Sequence, residues 1–510
     1  MQRLAGMILA MGVVFGLVQG TMADTTVKMS GDARIYGVYF SGHGFTGWNP
    51  PTWTSTAPAW TRAATRTEEP LDIWERFRLR SDFSSGESVK FRLAMKVEDT
   101  WGHGIYTAAN PTAGMRSAVG KLLSGVQVYE AYLQFKWPDT DIKVTAGLQE
   151  LDLPQSSLFS TSIVFGGDRA ASLVVSAPLV PDTLRLTTGF ARFLDTNQTF
   201  DAAGAGHQDD ELDGYWLTLP VTVGGFKAVP WGLLSVAGRS ADYYTNIDTS
   251  FGFTSYAENL LSAGILHAPG KWKNSQNAYS WAGSAFEVTT LDPIRFDADV
   301  IYGAGAMADR QQFQRSGWFL DLGAEYTGWD LLTPQLFAWW STGEDASWRN
   351  GSERMPIIRP SWGPGNSFLF DDSQAFGRNS NMGINPVGAY GIGASLNDIS
   401  FVADLTQRLT FTYLHGNNSP RAIRGLNCQL GSGDLSAGSN PYFVMGRDLT
   451  DNEYVYGLNL DNAYKIYENL TGIVETGWAH GHFQESVWGS RLVHKGTDAL
   501  KIAFGLNYKF

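Results

Sequence analysis

Six basic residues share one face of two consecutive segments near the start of the chain. In residues 74–80 and 89–98 apolar and charged side chains alternate, and this period of two places the two sets on opposite faces of a strand. The basic face comprises Arg76, Arg78, Arg80, Lys90, Arg92 and Lys96. A ladder of this kind performs no covalent chemistry, but rows of charge along a pore wall set its ion selectivity. The alternative is that these cations are solvated wall charges paired with nearby Asp and Glu.

Residues 150–170 are the second candidate, because their apolar side chains are unusual for a loop in water. A loop that folds inward and packs on the inner wall of a barrel would bury them. Phe165-Gly166-Gly167 is similar to the Phe-Gly-Gly element of the inward third loop of general trimeric porins. The candidate constriction residues are Asp152, Phe165, Gly166, Gly167, Asp168 and Arg169. On this resemblance Asp152 and Asp168 face the basic ladder; the alternative is a loop packed against a neighbouring subunit.

Other kinds of chemistry have little support in the sequence. The chain has 8 His and no G-x-S-x-G signature, so it is not expected to be an enzyme. His480 and His482 lack nearby carboxylates or Cys, and neither a metal nor a cofactor is expected. Cys428 is the only cysteine, so it forms no internal disulfide and is interpreted as a bystander in a long loop. A net charge of −12 argues against a nucleic-acid partner.

Composition favours a β-barrel that spans a membrane. The 510 residues include 57 Gly, 18 Trp, 20 Tyr and 29 Phe, whereas charged residues make up only 17%. Soluble proteins usually carry about 25% charged residues. The slightly negative mean hydropathy does not suit a helical membrane protein. A wall that is apolar outside and polar inside accounts for both observations.

The N-terminus has the features of an export signal. Arg3 precedes an apolar run over residues 4–18, and Ala23 closes a small-residue cleavage site before Asp24. The alternative, a membrane anchor, is disfavoured because a spanning helix needs about 20 apolar residues. We therefore expect a signal peptide over residues 1–23 and a single barrel domain over residues 24–510.

The last twelve residues, 499–510, alternate without a break between apolar and small or polar side chains. The pattern predicts a strand, and its ending resembles the C-terminal assembly signal of outer-membrane barrels. The residues of this signal are Leu506, Tyr508 and Phe510. The resemblance implies the barrel-assembly machinery as a partner during biogenesis; the alternative is an ordinary strand of a soluble β-sandwich.

The same alternation recurs along the chain, and its connections fall into two classes. Further predicted strands lie at 129–137, 142–148, 215–223, 294–302, 318–326, 401–413 and 454–460. Predicted short turns lie at 84–87, 138–140, 181–182, 291–293, 328–330 and 397–398, and predicted long loops lie at 41–70, 102–124, 150–170, 244–275, 343–388 and 415–450. Alternating short turns and long loops are typical of an all-β transmembrane antiparallel barrel with periplasmic turns and extracellular loops. About 18 strands are expected, or 16 if weak candidates near 171–180 and 387–396 are miscounted.

Taken together, these segments resemble the homotrimeric outer-membrane porins of sulfate-reducing bacteria. The segments that carry the resemblance are 74–78 (Trp-Glu-Arg-Phe-Arg), 91–102 (Phe-Arg-Leu-Ala-Met-Lys-Val-Glu-Asp-Thr-Trp-Gly), 129–134 (Tyr-Glu-Ala-Tyr-Leu-Gln), 464–470 (Tyr-Lys-Ile-Tyr-Glu-Asn-Leu) and the closing strand. These motifs describe barrel strands, so the resemblance concerns the fold and a pore more than any solute. It also implies a homotrimer in contact with outer-membrane lipid and lipopolysaccharide.

The expected function is passive diffusion of small hydrophilic solutes and ions through the outer membrane of a Gram-negative cell. The basic ladder predicts a weak preference for anions despite the acidic total charge. Two alternatives stay open, namely a substrate-specific channel for sugars or phosphate, and a non-porous barrel with a structural or adhesive role.

Overall fold

The computed structural model describes most of the expected barrel domain. The described residues are 25–45, 48–49, 65–66, 71–101, 126–159, 162–195, 211–238, 259–260, 277–306, 311–347, 349–363, 368–370, 382–429, 443–493 and 497–510. The expected signal peptide, the loop at 102–124 and most of the loop at 244–275 lie outside them. Among the residues described, no helix is both long and apolar enough to cross a membrane.

The described residues form eighteen antiparallel strands. They are β1 (Thr25–Ser41), β2 (Leu71–Ser85), β3 (Val89–Thr100), β4 (Gln127–Lys136), β5 (Lys143–Leu151), β6 (Asp168–Val180), β7 (Leu184–Asp195), β8 (Glu211–Thr218 and Val221–Val223), β9 (Phe226–Ala237), β10 (Asn277–Leu291), β11 (Ile294–Ala306), β12 (Gln314–Tyr326), β13 (Thr333–Ser341), β14 (Ala389–Val402), β15 (Leu405–Gly416), β16 (Tyr454–Tyr467), β17 (Leu470–His482) and β18 (Asp498–Lys509). The two parts of β8 pair with the same two neighbours, so they count as one interrupted strand. The predicted count of 18 is confirmed, and the alternative of 16 is wrong because both weak candidates form strands, β6 and β14.

Short helical and β segments lie in the connections. The described helices are α1 (Pro420–Gln429, which contains Cys428), α2 (Glu485–Trp488) and α3 (Ser490–Val493), with 3-10 turns at His43–Phe45, Ser157–Phe159 and Gln311–Phe313. A two-residue ladder joins Trp48–Asn49 to Thr65–Arg66.

The sheet is closed, because β1 pairs with both β2 and β18. Closure leaves no open sheet edge. The backbone N–H and C=O groups of such an edge would find no hydrogen-bond partner in lipid. At the seam, the Gly31 amide donates to the Phe510 carbonyl at 2.9 Å, and the Phe510 amide donates back at 3.1 Å. The Phe510 ring lies over Gly31 and stacks on Phe77, with 6.0 Å between ring centroids. The C-terminal residue therefore fills a space that only glycine leaves on β1.

The connections alternate in length, as predicted, and they define two ends of the barrel. At the turn end the strands are joined through residues 86–88, 137–142, 181–183, 224–225, 292–293, 327–332, 403–404 and 468–469. At the loop end they are joined through residues 42–70, 101–126, 152–167, 196–210, 238–276, 307–313, 342–388, 417–453 and 483–497. Both described termini lie at the turn end.

The outward face is apolar and carries aromatic residues at both ends. On β12, Trp318 and Leu322 are 45% and 61% exposed, whereas Phe319 and Asp321 on the inward face are almost fully buried. Exposed aromatic residues at the turn end are Trp137, Trp329, Phe401, Tyr464, Tyr467, Tyr508 and Phe510. Those at the loop end are Trp101, Tyr302, Trp318, Trp340, Tyr390 and Trp478. Two such aromatic belts are the mark of a wall that meets two membrane interfaces.

One predicted turn is wrong. Asn397 and Asp398 do not reverse the chain, because β14 continues through them to Val402 with a register shift after Leu396. The reversal occurs at residues 403–404, so the strand predicted over 401–413 is the end of β14, the turn and most of β15. Asp398 adopts a positive φ of 54° within a β-bulge, and Asp404 adopts 62° at the turn itself. Asp tolerates this conformation in both settings, so composition alone does not distinguish a bulge from a turn.

A second bulge changes the face of one side chain. The pattern over 129–137 places Tyr129 on the lipid face, but the register of β4 against β3 shifts between Ala94 and Met95. Tyr129 is the extra residue, it is buried, and its hydroxyl accepts a 3.1 Å hydrogen bond from Arg80 Nε on the inner wall. The predicted outward position of Tyr129 is therefore wrong.

We expect a methyl group at position 31 to disturb the seam. In Gly31→Ala the new Cβ would contact the Arg78 carbonyl oxygen and stand 2.5 Å from the Phe510 ring. Overpacking of this kind costs about 1–3 kcal/mol, so the temperature at which the folded barrel loses its fast migration in detergent gels should fall. Gly472→Ala is the matched control, because its nearest neighbour would be the Ile466 side chain at 3.4 Å. Equal midpoints for the two variants would contradict this account of the seam.

Candidate functional site: the inner wall and its inward loops

The basic ladder on β2 is organised around one buried carboxylate on β1. Asp32 Oδ1 lies 3.2 Å from Arg76 Nη2, and Asp32 Oδ2 lies 2.5 Å from Arg78 Nε. Arg34 Nε is a third neighbour, 3.6 Å from Oδ1. Asp32 is only 6% exposed. It carries a single negative charge, so it cannot compensate the charges of all three guanidinium groups.

The ladder continues on β3 and reaches the start of β6. Arg92 binds Asp82 through two hydrogen bonds, at 2.6 Å and 2.8 Å, and lies 3.6 Å from Glu130. Arg169 lies 3.1 Å from Glu150 and 3.7 Å from the same Glu130, and its guanidinium lies over the Tyr129 ring at 5.1 Å. Arg169 was predicted as part of the opposing loop, but in the structure it lies next to the ladder in an ion pair with Glu150.

The two lysines of the ladder contact an aromatic ring and a carboxylate. Lys90 Nζ lies 5.6 Å from the centroid of the Tyr132 ring, and Lys96 Nζ lies 3.0 Å from Glu98 Oε2. In the described wall, the cations of this group are Arg34, Arg76, Arg78, Arg80, Lys90, Arg92 and Lys96, and the carboxylates that contact them are Asp32, Asp82, Glu98 and Glu130. The cations outnumber the carboxylates, and they keep part of their surface accessible. The wall therefore presents a net positive surface to water.

The loop after β5 crosses the interior and binds the opposite wall. The Ser156 amide donates to both carboxylate oxygens of Asp299, at 3.0 Å and 2.9 Å. Gln155 Nε2 donates to Asp321 at 2.9 Å. Asp299 and Asp321 are register partners on β11 and β12 and are almost fully buried. The loop therefore supplies the donors that these carboxylates need once water is excluded.

Apolar contacts fix the same loop against the wall and against a second loop. Leu158 packs directly onto Gly323 of β12, in the space that a larger residue would fill. The Phe159 ring stacks on Trp362 with centroids 5.7 Å apart. Trp362 belongs to the loop between β13 and β14, and its Nε1 donates to Asp321 at 3.0 Å. The apolar residues of the first loop are thus buried within the chain itself.

The two predicted acidic residues of the first loop do not contact the ladder. Asp152 accepts a short hydrogen bond from the Gly167 amide, which closes the base of the loop. Asp168 pairs with Arg359 at 2.6 Å. The Gly166 amide donates to the Arg359 carbonyl at 3.2 Å. Asp152 therefore holds the base of the first loop, and Asp168 joins the first loop to the second.

The inward course of the second loop was missed by the sequence analysis. Its backbone pairs with the first loop: the Ile358 and Arg359 amides donate to the Val164 carbonyl, and the Ser361 amide donates to the Ser162 carbonyl, all at 2.9–3.0 Å. Apolar residues at 355–358, 362 and 368–370 carried the same signal as the first loop, namely side chains too apolar for a loop in water. The two loops form one body inside the barrel.

The second loop also reaches strands on the far side of the interior. Phe368 packs on Gly477 of β17, and Leu369 packs on Gly457 of β16. Each glycine leaves room for a side chain that comes from the loop rather than from the wall. The body of the two loops therefore spans from β5 and β6 to β16 and β17.

A buried polar cluster ties the second loop to the loop between β15 and β16. Asp448 accepts hydrogen bonds from Arg354 at 2.6 Å and from Arg447 at 2.8 Å. Nearby, Ser352 Oγ donates to Glu344 at 2.6 Å. Burial raises the pKa of Glu344 to about 7. Among the described residues, no three His, Cys, Asp or Glu side chains lie together so as to hold a metal ion.

Comparison with known proteins places the fold. No protein-family model matches the chain, and no curated protein matches it. Among solved structures, it is similar to OccK8 (OprE) of Pseudomonas aeruginosa, at 9% identity and a TM-score of 0.50 over 95% of this chain and 98% of that one. OccK11 (OpdR) of the same organism gives 9% and 0.49 over 97% and 98%, and an anion-selective porin from Comamonas acidovorans gives 8% and 0.41 over 96% and 100%. The fold is the closed antiparallel barrel of outer-membrane porins.

We expect engineered disulfides to report the two landing points of the loops. In a Cys428→Ser background, the pairs Leu158→Cys/Gly323→Cys and Leu369→Cys/Gly457→Cys should each oxidise, because both leucines contact the glycine sites. The mismatched pair Leu158→Cys/Gly457→Cys should stay reduced. Thiol labelling of the folded barrel measures each outcome. Equal oxidation of all three pairs would show that the loops are not held where the structure places them.

We also expect the loop cluster to lose stability as the pH rises. The folded-state pKa of Glu344 lies above its usual value of 4.5, so the folded chain binds more protons than the unfolded chain between pH 4.5 and about 7. The contribution of Glu344 to the free energy of unfolding then falls across this window by up to about 3 kcal/mol and changes no further above it. The temperature at which the wild-type barrel loses its fast migration in detergent gels should be lower at about pH 8 than at about pH 5. Glu344→Gln should lose much of this difference; a variant that keeps all of it would exclude Glu344 as the cause.

Proposed function

We propose that this chain is an outer-membrane porin that allows small hydrophilic solutes and ions to diffuse passively through its lumen. The observation that carries the proposal is a closed barrel with an apolar outer face and a partly accessible row of cations on its inner wall. An apolar outer face is not expected in a soluble protein. A row of water-accessible cations on the inner wall is not expected in a barrel whose interior is filled.

We propose that the water-filled path runs along the basic wall. The inward loops cover the acidic strands β11 and β12, where Asp297, Asp299 and Asp321 are at most 3% exposed. The side chains of Arg76 and Lys96, by contrast, keep 16% and 28% of their surface accessible. The constriction would then lie between the ladder and the loop base formed by Asp152 and residues 165–169. Uncompensated cations at this point favour anions.

The biogenesis and assembly that we propose go beyond the described barrel. Residues 1–23 would be the export signal, and Leu506, Tyr508 and Phe510 would be read by the barrel-assembly machinery. The turns would face the periplasm, and the loops would face the exterior and its lipopolysaccharide. A homotrimer is proposed on the resemblance to the porins of sulfate-reducing bacteria, and no catalytic role is proposed.

The experiment that tests this function is single-channel recording in a planar bilayer under a salt gradient. Stepwise openings are expected, in groups of three if the trimer persists, with a reversal potential of the sign for anion preference. Correctly folded, heat-modifiable protein that gives no current would exclude the porin function and favour a non-porous barrel.

A matched pair of variants tests the basic wall itself. Arg92→Gln removes the cation of a pair in which arginine and aspartate share two hydrogen bonds on the ladder. Arg408→Gln removes the cation of a similar pair with Asp461 on β15 and β16. Because one charge at ~4 Å in water is worth about 1 kcal/mol, anion preference should fall a few-fold at most in Arg92→Gln. The Arg408→Gln control should change less. An equal shift in both variants would show that the ladder has no special position on the path.

A further inference from the structure

A cavity of about 470 Å³ lies behind the first inward loop. It is bounded by residues 149–155 on one side and by inward residues of β6 to β9 on the other. Its size falls within the range of small-molecule sites, which is roughly 300–1,000 Å³. The loop thus separates two regions of the lumen, the basic wall and this cavity.

The charge of the cavity differs from that of the basic wall. Among the described residues that line it there is no Lys or Arg, whereas Glu150 and Asp152 lie on exposed segments of its rim. Glu150 is paired with Arg169 at 3.1 Å, and Asp152 accepts a hydrogen bond from the Gly167 amide. The rim therefore has no excess of positive charge, and the cavity lacks the feature by which the basic wall suits anions.

The deeper lining combines one aromatic ring with hydroxyl and amide groups. Trp216 and Thr218 point inward from the same face of β8, and Gln149 lines the cavity from β5. Gly189 of β7 allows the indole to lie flat against the wall, because a Cβ there would stand 2.8 Å from Trp216 Cε2. Thr187 adds a second hydroxyl. The indole is held by this contact and is 5% exposed, so the part of it that lines the cavity has a fixed position.

This set of groups matches the surface of a sugar. A pyranose ring offers an apolar face of C–H groups, which suits an indole, and a rim of hydroxyls that each donate and accept hydrogen bonds. Carboxylates and amide oxygens accept from such hydroxyls, and threonine hydroxyls do both. A neutral polyol also meets no charge barrier at the acidic rim.

We propose that this cavity is a binding site for neutral sugars of monosaccharide size, separate from the anion path. The proposal rests on the proposed channel function and adds a solute class to it. The first inward loop borders both the cavity and the proposed constriction, so a sugar bound against this loop is expected to reduce the ion current in part while it is bound.

The test uses glucose with the full-length, folded barrel. Two readouts are needed: block of the single-channel ion current, and a calorimetric titration in detergent, which does not depend on conduction. Saturable binding is expected in both. Trp216→Leu should weaken glucose binding by about tenfold, which is the effect expected for the loss of one contact. Trp216→Phe should keep part of the affinity for glucose. Thr218→Val should also weaken it.

Tyr215→Leu is the matched control, because Tyr215 is the outward neighbour of Trp216 on β8 and is 50% exposed. It should bind glucose as the wild type does. A conducting pore that glucose neither binds nor blocks would overturn the sugar site and leave the porin function intact. Calorimetric binding without conduction would support the site and exclude the channel. Binding of choline in place of glucose would assign the cavity to cations and overturn the proposal.

Discussion

The structure depends on one constraint, which is that every backbone polar group in a membrane wall must find its partner inside the wall. Eighteen strands satisfy it only because the last strand returns to the first. The Gly31–Phe510 pair of hydrogen bonds completes that ladder at the turn end, and the Phe510 ring covers the place where β1 has no side chain. Once the ladder is closed, the period of two along each strand fixes which residues meet lipid and which meet the lumen.

A second constraint acts inside the barrel, where charge must be hydrated or paired. The two sides of the lumen meet it differently. The carboxylates Asp299 and Asp321 are enclosed and receive their hydrogen bonds from Gln155, Ser156 and Trp362. The cations of the ladder share too few carboxylates and keep contact with water. The loops therefore occupy the acidic side and leave the basic side accessible, and the proposed anion preference rests on this asymmetry.

The barrel itself was predictable from the sequence, because alternation is a local property that each strand displays on its own. The strand number, the alternation of short and long connections and the inward first loop were all read correctly from it. What failed depended on pairing with a neighbour. Asn397-Asp398 is a bulge and not a turn because β15 stays paired beyond it, and Tyr129 turns inward because β3 and β4 shift register. The partner of Asp168 was not predictable, since Arg359 comes from a distant loop.

The backbone ladder between the two inward loops has a consequence for the order of folding. The Val164 carbonyl accepts hydrogen bonds from the Ile358 and Arg359 amides, residues separated from it by the eight strands β6 to β13. A contact between such distant parts of the chain has a large entropy cost of loop closure. It is therefore expected to form late, after the intervening strands have been placed. By this measure the interior body is a late contact, and so is the pairing of β1 with β18, which closes the wall over a still longer separation.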